Sequence, residues 1–225
     1  MPTSVAVERR SPVNAFVVPF GIFAVLLVLN QLLETAWPDA KFAVYPGQTL
    51  VCGFALWRYR QAYGPFRTRG LAFGIIIGAL VFCLWVAPQW LHLAPPRSGG
   101  FDPGPLAGSP GLYALTLAFR FLRLVVVVPI LEEVFWRAFA LRVLIRPDFS
   151  GVPFGTFSWS SCLVTAGLFA VGHQRPDWPA GVLAGLGYNA VAYRTRNLGA
   201  CILAHALTNL GLGIYICVTR QWGFW

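Results

Sequence analysis

Leu131-Glu132-Glu133-Val134-Phe135-Trp136-Arg137 places two adjacent carboxylates and a guanidinium inside a hydrophobic run that extends over about 112–144. Ionised groups are expensive in hydrocarbon, so an intramembrane carboxylate pair reads first as a functional site. Helical spacing sorts the two glutamates. Glu133 and Arg137 stand at i, i+4 and can pair. Glu132 lies about 100° around the helix and has no partner within its own turn. The spacing therefore predicts Glu133–Arg137 as a brace and Glu132 as the working group. The plainer reading is that Arg137 and its neighbours satisfy both glutamates and that neither works.

The surrounding chain supports a membrane setting. Its 225 residues are 57% hydrophobic and only 11% charged, where a soluble domain carries about 25% charged residues. Seven apolar runs stand out, over about 16–33, 42–57, 70–91, 112–144, 157–172, 178–193 and 198–218. The expected fold is an all-α, polytopic integral membrane helical bundle of about seven or eight transmembrane helices. Residues 1–13 read as a polar tail, and 14–225 as a single transmembrane domain. The first run is too long for a signal-peptide core, and no small-residue cleavage site follows it, so it is expected to be retained. Pro46-Gly47 is expected to make the second run irregular or partly re-entrant. The fourth run is too long for one straight span, so Pro129 is expected to kink or divide it. Arg120 and Arg123 within it are expected to snorkel or to mark an interfacial first turn. Residues 94–111, rich in Pro and Gly, form the longest loop.

The net charge of +9 could suggest nucleic acid. The basic residues, however, lie singly or in small groups between apolar runs and build no basic face, so no nucleic-acid partner is expected. They read as topology signals. With seven spans, Arg9, Arg10, Arg58, Arg60, Arg67, Arg69, Arg142, Arg146, Arg194 and Arg196 fall on one side. Lys41, Arg97, Arg175 and Arg220 fall on the other. This puts the N-terminus in the cytoplasm. The expected location is a bacterial cytoplasmic membrane, since arginine far outnumbers lysine. The five cysteines lie in apolar runs without a CxxC and read as packing residues.

Two further motifs follow the glutamates. Phe169-Ala170-Val171-Gly172-His173 closes the fifth run, and His205-Ala206-Leu207-Thr208-Asn209 lies in the seventh, with His205 and Asn209 on one helix face. Each histidine alone reads as a packed hydrogen-bonding residue. Four separately buried polar groups would each need partners, whereas clustered ones satisfy one another. Such a cluster suits water activation. A carboxylate takes a proton from a water that attacks a carbonyl, His and Asn donate to the oxyanion, and a second His orients the water or protonates the leaving amine. Glu132, His173 and His205 would equally make a zinc set with a water in the fourth position. Ligand count does not separate the two mechanisms, and HExxH is absent.

The ordered trio EExxxR, FxxxH and HxxxN on successive hydrophobic segments resembles the CAAX-protease and bacteriocin-processing (CPBP, or Abi) family, whose best-known branch is the Rce1-type CAAX prenyl endopeptidases. The resemblance covers about 112–218. It implies an intramembrane endopeptidase with Glu132 as catalytic base, Glu133 and Arg137 as the motif's second glutamate and arginine, and His173, His205 and Asn209 as the remaining site groups, His and Asn forming the oxyanion hole. It implies a metal-free, glutamate-type mechanism and a membrane-anchored protein or peptide as substrate. The Trp57-Arg58-Tyr59-Arg60 segment, the short length and the Gly/Pro-rich loop are also similar to the CAAX-protease-related proteins of exosortase systems, which would add exosortase-system partners. The alternatives are a transporter or proton relay, and a noncatalytic immunity or assembly partner. Depth is the awkward point. At 1.5 Å per residue from the cytoplasmic ends, Glu132 falls about 15 Å deep and His205 about 11 Å, but His173 about 24 Å.

Overall fold

The computed structural model describes residues 12–65 and 67–225. The polar tail expected over 1–13 lies outside them, apart from Pro12 and Val13, which already belong to the first helix. Seven helices follow in order: α1 Pro12–Ala36, α2 Lys41–Tyr59, α3 Leu71–Trp90, α4 Pro110–Val143, α5 Trp159–Val171, α6 Trp178–Thr195 and α7 Leu198–Thr219. Among the described residues there is no strand. Helices α1, α3, α4 and α7 are each long and apolar enough to cross a membrane. At 13 residues, α5 runs only about 20 Å, short of a hydrocarbon core of about 30 Å.

The bundle is dressed for lipid. Val25, Val28, Leu32, Phe54, Ile76, Leu80 and Leu163 point outward. The interior instead collects small and polar residues such as Ala184, Ala200, Ala204, Asn189 and Thr208. Trp37, Trp57, Trp90, Trp159 and Trp178 are exposed at helix ends, the level at which tryptophan anchors a protein in the interface. The chain is thus an all-α integral membrane protein.

Contacts between loops define the two ends. Asn197 caps α7 through Gly199 N, and its Nδ2 donates to Arg67 O at 2.8 Å and Arg69 O at 2.7 Å. That end carries Arg58, Arg60, Arg142, Arg146, Arg194 and Arg196 as well. At the other end, Gly223 N donates to Arg97 O and Arg97 N donates to Gln221 Oε1, so the Gly/Pro-rich loop lies against the C-terminal residues.

Helices touch where side chains are absent. A Cβ on Gly74 of α3 would stand 2.6 Å from Ala200 O of α7, and one on Gly78 would stand closer still to Ala204 O. Thr208 Oγ1 closes the same seam by donating to Gly78 O at 2.9 Å. Gly181 and Gly185 of α6 press likewise on Ala170 and Ala166 of α5. Lipid tails are as apolar as leucine, so such small-residue contacts, rather than a hydrophobic drive, hold membrane helices together. Gly78→Leu is expected to cost about 1–3 kcal/mol in denaturant unfolding of the detergent-solubilised protein. Gly53→Leu, where nothing lies within 4 Å of the new Cβ, is the control and should cost far less.

The prolines do not break their helices. Helix α2 continues through Pro46, so the second run is not irregular there; Pro46 simply lacks the N–H that would reach Phe42 O. In α1, Pro19 leaves Ala15 O without its i+4 donor, and the Tyr63 hydroxyl donates to that oxygen at 3.0 Å. Burial raises the pKa of the Tyr63 phenol above its ordinary value, which keeps the donor protonated. Helix α4 is continuous over 34 residues, so Pro129 does not divide it. Two wide π segments, Leu122–Val127 and Val134–Ala140, absorb the irregularity instead.

Candidate active site

The second π segment surrounds Arg137. Glu133, fully buried, accepts from Arg137 Nη1 at 2.9 Å and from His205 Nδ1 at 2.8 Å, both on Oε1. Arg137 Nη2 donates to Gly185 O at 3.3 Å, and its guanidinium lies 4.8 Å from the Phe169 ring centre and 5.2 Å from that of Tyr188. Tyr188 stacks on His205 with ring centres 5.0 Å apart. Helices α4, α5, α6 and α7 are therefore joined through one ion pair. A carboxylate oxygen only accepts, so His205 Nδ1 carries the proton, and Nε2 donates only in the imidazolium form.

Glu132 faces elsewhere. It is half-buried, its Oε2 has no hydrogen-bond partner among the described residues, and it lines a cavity of about 820 Å³ together with His173. Phe23, Tyr45, Arg120, Arg123 and Trp225 also line it. His173 follows the end of α5, and its Nδ1 lies 2.8 Å from Phe169 O. A carbonyl cannot donate, so His173 Nδ1 is the N–H and Nε2 is left as an acceptor in the neutral ring. The site residues thus separate into two groups, Glu132 with His173 on the cavity and Glu133, Arg137 and His205 sealed behind them. Among the described residues, no three His, Cys, Asp or Glu side chains gather as a metal-binding set.

The depth mismatch narrows once the helices are measured. Helix α5 begins at Trp159 rather than 157, which puts His173 about 21 Å from that end, against about 16 Å for Glu132 from the end of α4 at Val143. Side chains span the remainder, since both residues border one cavity.

Asn209 lies one turn beyond His205, and its Nδ2 donates to Leu124 O at 2.8 Å. The need for this bond originates in α4. Val128 N–H reaches five residues back to Arg123 O. The corresponding donor for Leu124 O would be residue 129, a proline without an N–H. Asn209 answers the carbonyl that Pro129 orphans, and the second hydrogen of its amide remains for other use. Asn209→Ala is expected to cost about 1–2 kcal/mol, and markedly less in a Pro129→Ala background, where the backbone regains its own donor. A double-mutant cycle by reversible unfolding measures the coupling.

Three residues that sequence reasoning missed position His173. Trp85 of α3 stands edge-on to its ring with centres 5.3 Å apart. Trp85 Nε1 donates to Asp177 Oδ1 at 3.0 Å, and Arg97 Nη2 pairs with the same oxygen at 2.7 Å. The buried carboxylate of Asp177 was the available signal, but its partners are 92 and 80 positions away in the chain. Arg120 and Arg123 differ from expectation too. They do not snorkel to the surface but turn inward onto the cavity.

An integral membrane bundle with a carboxylate bordering an interior cavity, braced by a sealed Glu–Arg–His cluster, defines a polytopic protein with an intramembrane carboxylate site. The family model described as type II CAAX prenyl endopeptidase Rce1-like matches residues 113–211. The match covers the motif-bearing part of the chain, which over those residues is similar to the Rce1-like CAAX endopeptidases. No curated protein and no solved structure matches it.

Proposed function

We infer that the protein is an intramembrane endopeptidase that hydrolyses a peptide bond of a membrane-associated protein or peptide by a glutamate-type mechanism. The observation that carries this reading is the division of the adjacent glutamates, Glu132 on a cavity beside His173 and Glu133 sealed in an ion pair. Glu132 takes a proton from a water held between it and His173 Nε2, and the water oxygen attacks the scissile carbonyl. Asn209, through its second amide hydrogen, donates to the oxyanion, and His205 holds Glu133 in place behind the cavity. Collapse breaks the C–N bond, and the amine leaves with the proton returned by Glu132 or relayed by His173. The arginine-rich end is the cytoplasmic one by the positive-inside rule. The cavity then extends toward the opposite end, where Tyr45, Arg175 and Trp225 line it.

The test is cleavage of a panel of membrane-tethered peptides by the purified protein, its Glu132→Gln variant and the chelator-treated enzyme. Cleavage lost in Glu132→Gln and kept in chelator is the expected result. Cleavage that survives in Glu132→Gln overturns the base, and loss in chelator restored by zinc overturns the metal-free mechanism. Presenting the peptides from one face of oriented vesicles at a time tests the side of access.

A further inference from the structure

The cavity holds two guanidinium groups that the hydrolytic scheme does not use. Arg120 is buried, with its Cζ 4.3, 4.5 and 4.7 Å from the ring centres of Tyr45, Phe101 and Trp225. Arg123, one turn on, stands 4.8 Å from the Tyr45 ring centre and 5.5 Å from that of Phe23. Among the described residues neither makes an ion pair; the pairs present join Arg97 to Asp177, and Arg137 and His205 to Glu133. Burying an uncompensated cation is costly, and two on one helix face repel. Aromatic faces offset part of this, and the Tyr45 hydroxyl is an acceptor within reach of both guanidinium groups, but one neutral oxygen does not neutralise two cations. A planar fork of donors held on rings, in a cavity that also contains the proposed base, is the arrangement that recognises a carboxylate.

We propose that Arg120 and Arg123 form a carboxylate-binding subsite of the cavity, which fixes where the substrate lies relative to Glu132. The inference rests on the protease reading for its purpose, although not for its chemistry. Arg123 precedes Glu132 by nine residues, about 13 Å along the helix axis. An extended peptide covers that distance in about four residues. The carboxylate is therefore expected within about four residues of the scissile bond. Both a chain terminus and an Asp or Glu side chain supply this chemistry.

Binding separates the subsite from catalysis. Labelled membrane-tethered peptides would be titrated into the Glu132→Gln protein in nanodiscs of neutral lipid. One peptide ends in a free carboxylate and is paired with its C-terminal amide; another carries an internal Glu and is paired with its Gln counterpart. The carboxylate form of at least one pair is expected to bind about 10- to 100-fold more tightly, and the pair that shows the preference identifies the source. Adding Arg123→Gln should bring that ratio to about one, while Arg123→Lys retains part of it. Arg120→Gln should act in the same direction. Equal binding of acid and neutral forms in both pairs overturns the proposal. So does an undiminished preference in a folded Arg123→Gln protein. A preference that survives where wild-type cleavage is absent sinks the protease reading and leaves the subsite standing.

Discussion

Arg137→Met is expected to destabilise the protein by about 3–5 kcal/mol, seen as a fall of roughly 6–20 °C in the unfolding midpoint. Methionine fills much of the same volume, so the loss is electrostatic rather than a cavity effect. Glu133 has no exposure, and among the described residues its Oε2 has no hydrogen-bond partner, so it depends on what reaches Oε1. Without Arg137, only His205 remains there. Removing one member of a buried pair strands the other charge, whereas removing both is often close to neutral. The double variant Glu133→Gln/Arg137→Met should therefore regain more than half of the lost stability. A single variant as stable as the wild type, or a double variant as unstable as the single, would refute the brace.

Glu132→Gln is expected to do the reverse, lowering the cleavage rate by about 10²- to 10⁴-fold while shifting stability by no more than about 0.5 kcal/mol. Among the described residues Glu132 Oε2 has no hydrogen-bond partner, and the side chain borders the cavity, so an amide there breaks no bond to it. It cannot take a proton from water. Glu133→Gln, one position on, should instead lower the unfolding midpoint, because it leaves the Arg137 guanidinium facing a neutral amide. Rates and melting curves measured side by side on the two variants give the comparison. Equal loss of stability in both would mean that the adjacent carboxylates share one structural role.

Much of this arrangement could be read from the chain. The seven apolar runs became seven helices with ends near the expected ones, because run length and hydropathy alone decide which segments leave water. The i, i+4 relation of Glu133 and Arg137 is local geometry and is realised as drawn. What failed were expectations that treat a segment as isolated. Pro46 and Pro129 read as interruptions, yet a helix survives a proline when the orphaned carbonyl finds another donor, and Asn209 provides one from 85 residues away. Arg120 and Arg123 read as snorkelling cations or an interfacial first turn because the aromatic box that turns them inward is built from α2, the Gly/Pro-rich loop and the C-terminal Trp225. The spacings Gly74-x-x-x-Gly78 and Gly181-x-x-x-Gly185 were visible, but only the facing alanines of α7 and α5 give them meaning. The position of His173 depended on the start and length of α5, the kind of boundary that propensity places least well.

The bonds that α7 supplies to α4 also bear on how the protein is made. His205 lies 72 residues after Glu133, and Asn209 lies 85 after Leu124. At about 5–20 residues per second, the ribosome needs roughly 4–17 s to cover that interval. Throughout it Leu124 O lacks the Asn209 donor and Glu133 has Arg137 but not His205, in a solvent that offers no substitute donors. Membrane insertion of this chain is therefore not a sequence of independent spans released one by one. The polar groups of the fourth helix are completed only when the seventh arrives, and biogenesis is the stage at which a defect in α7 would first be felt.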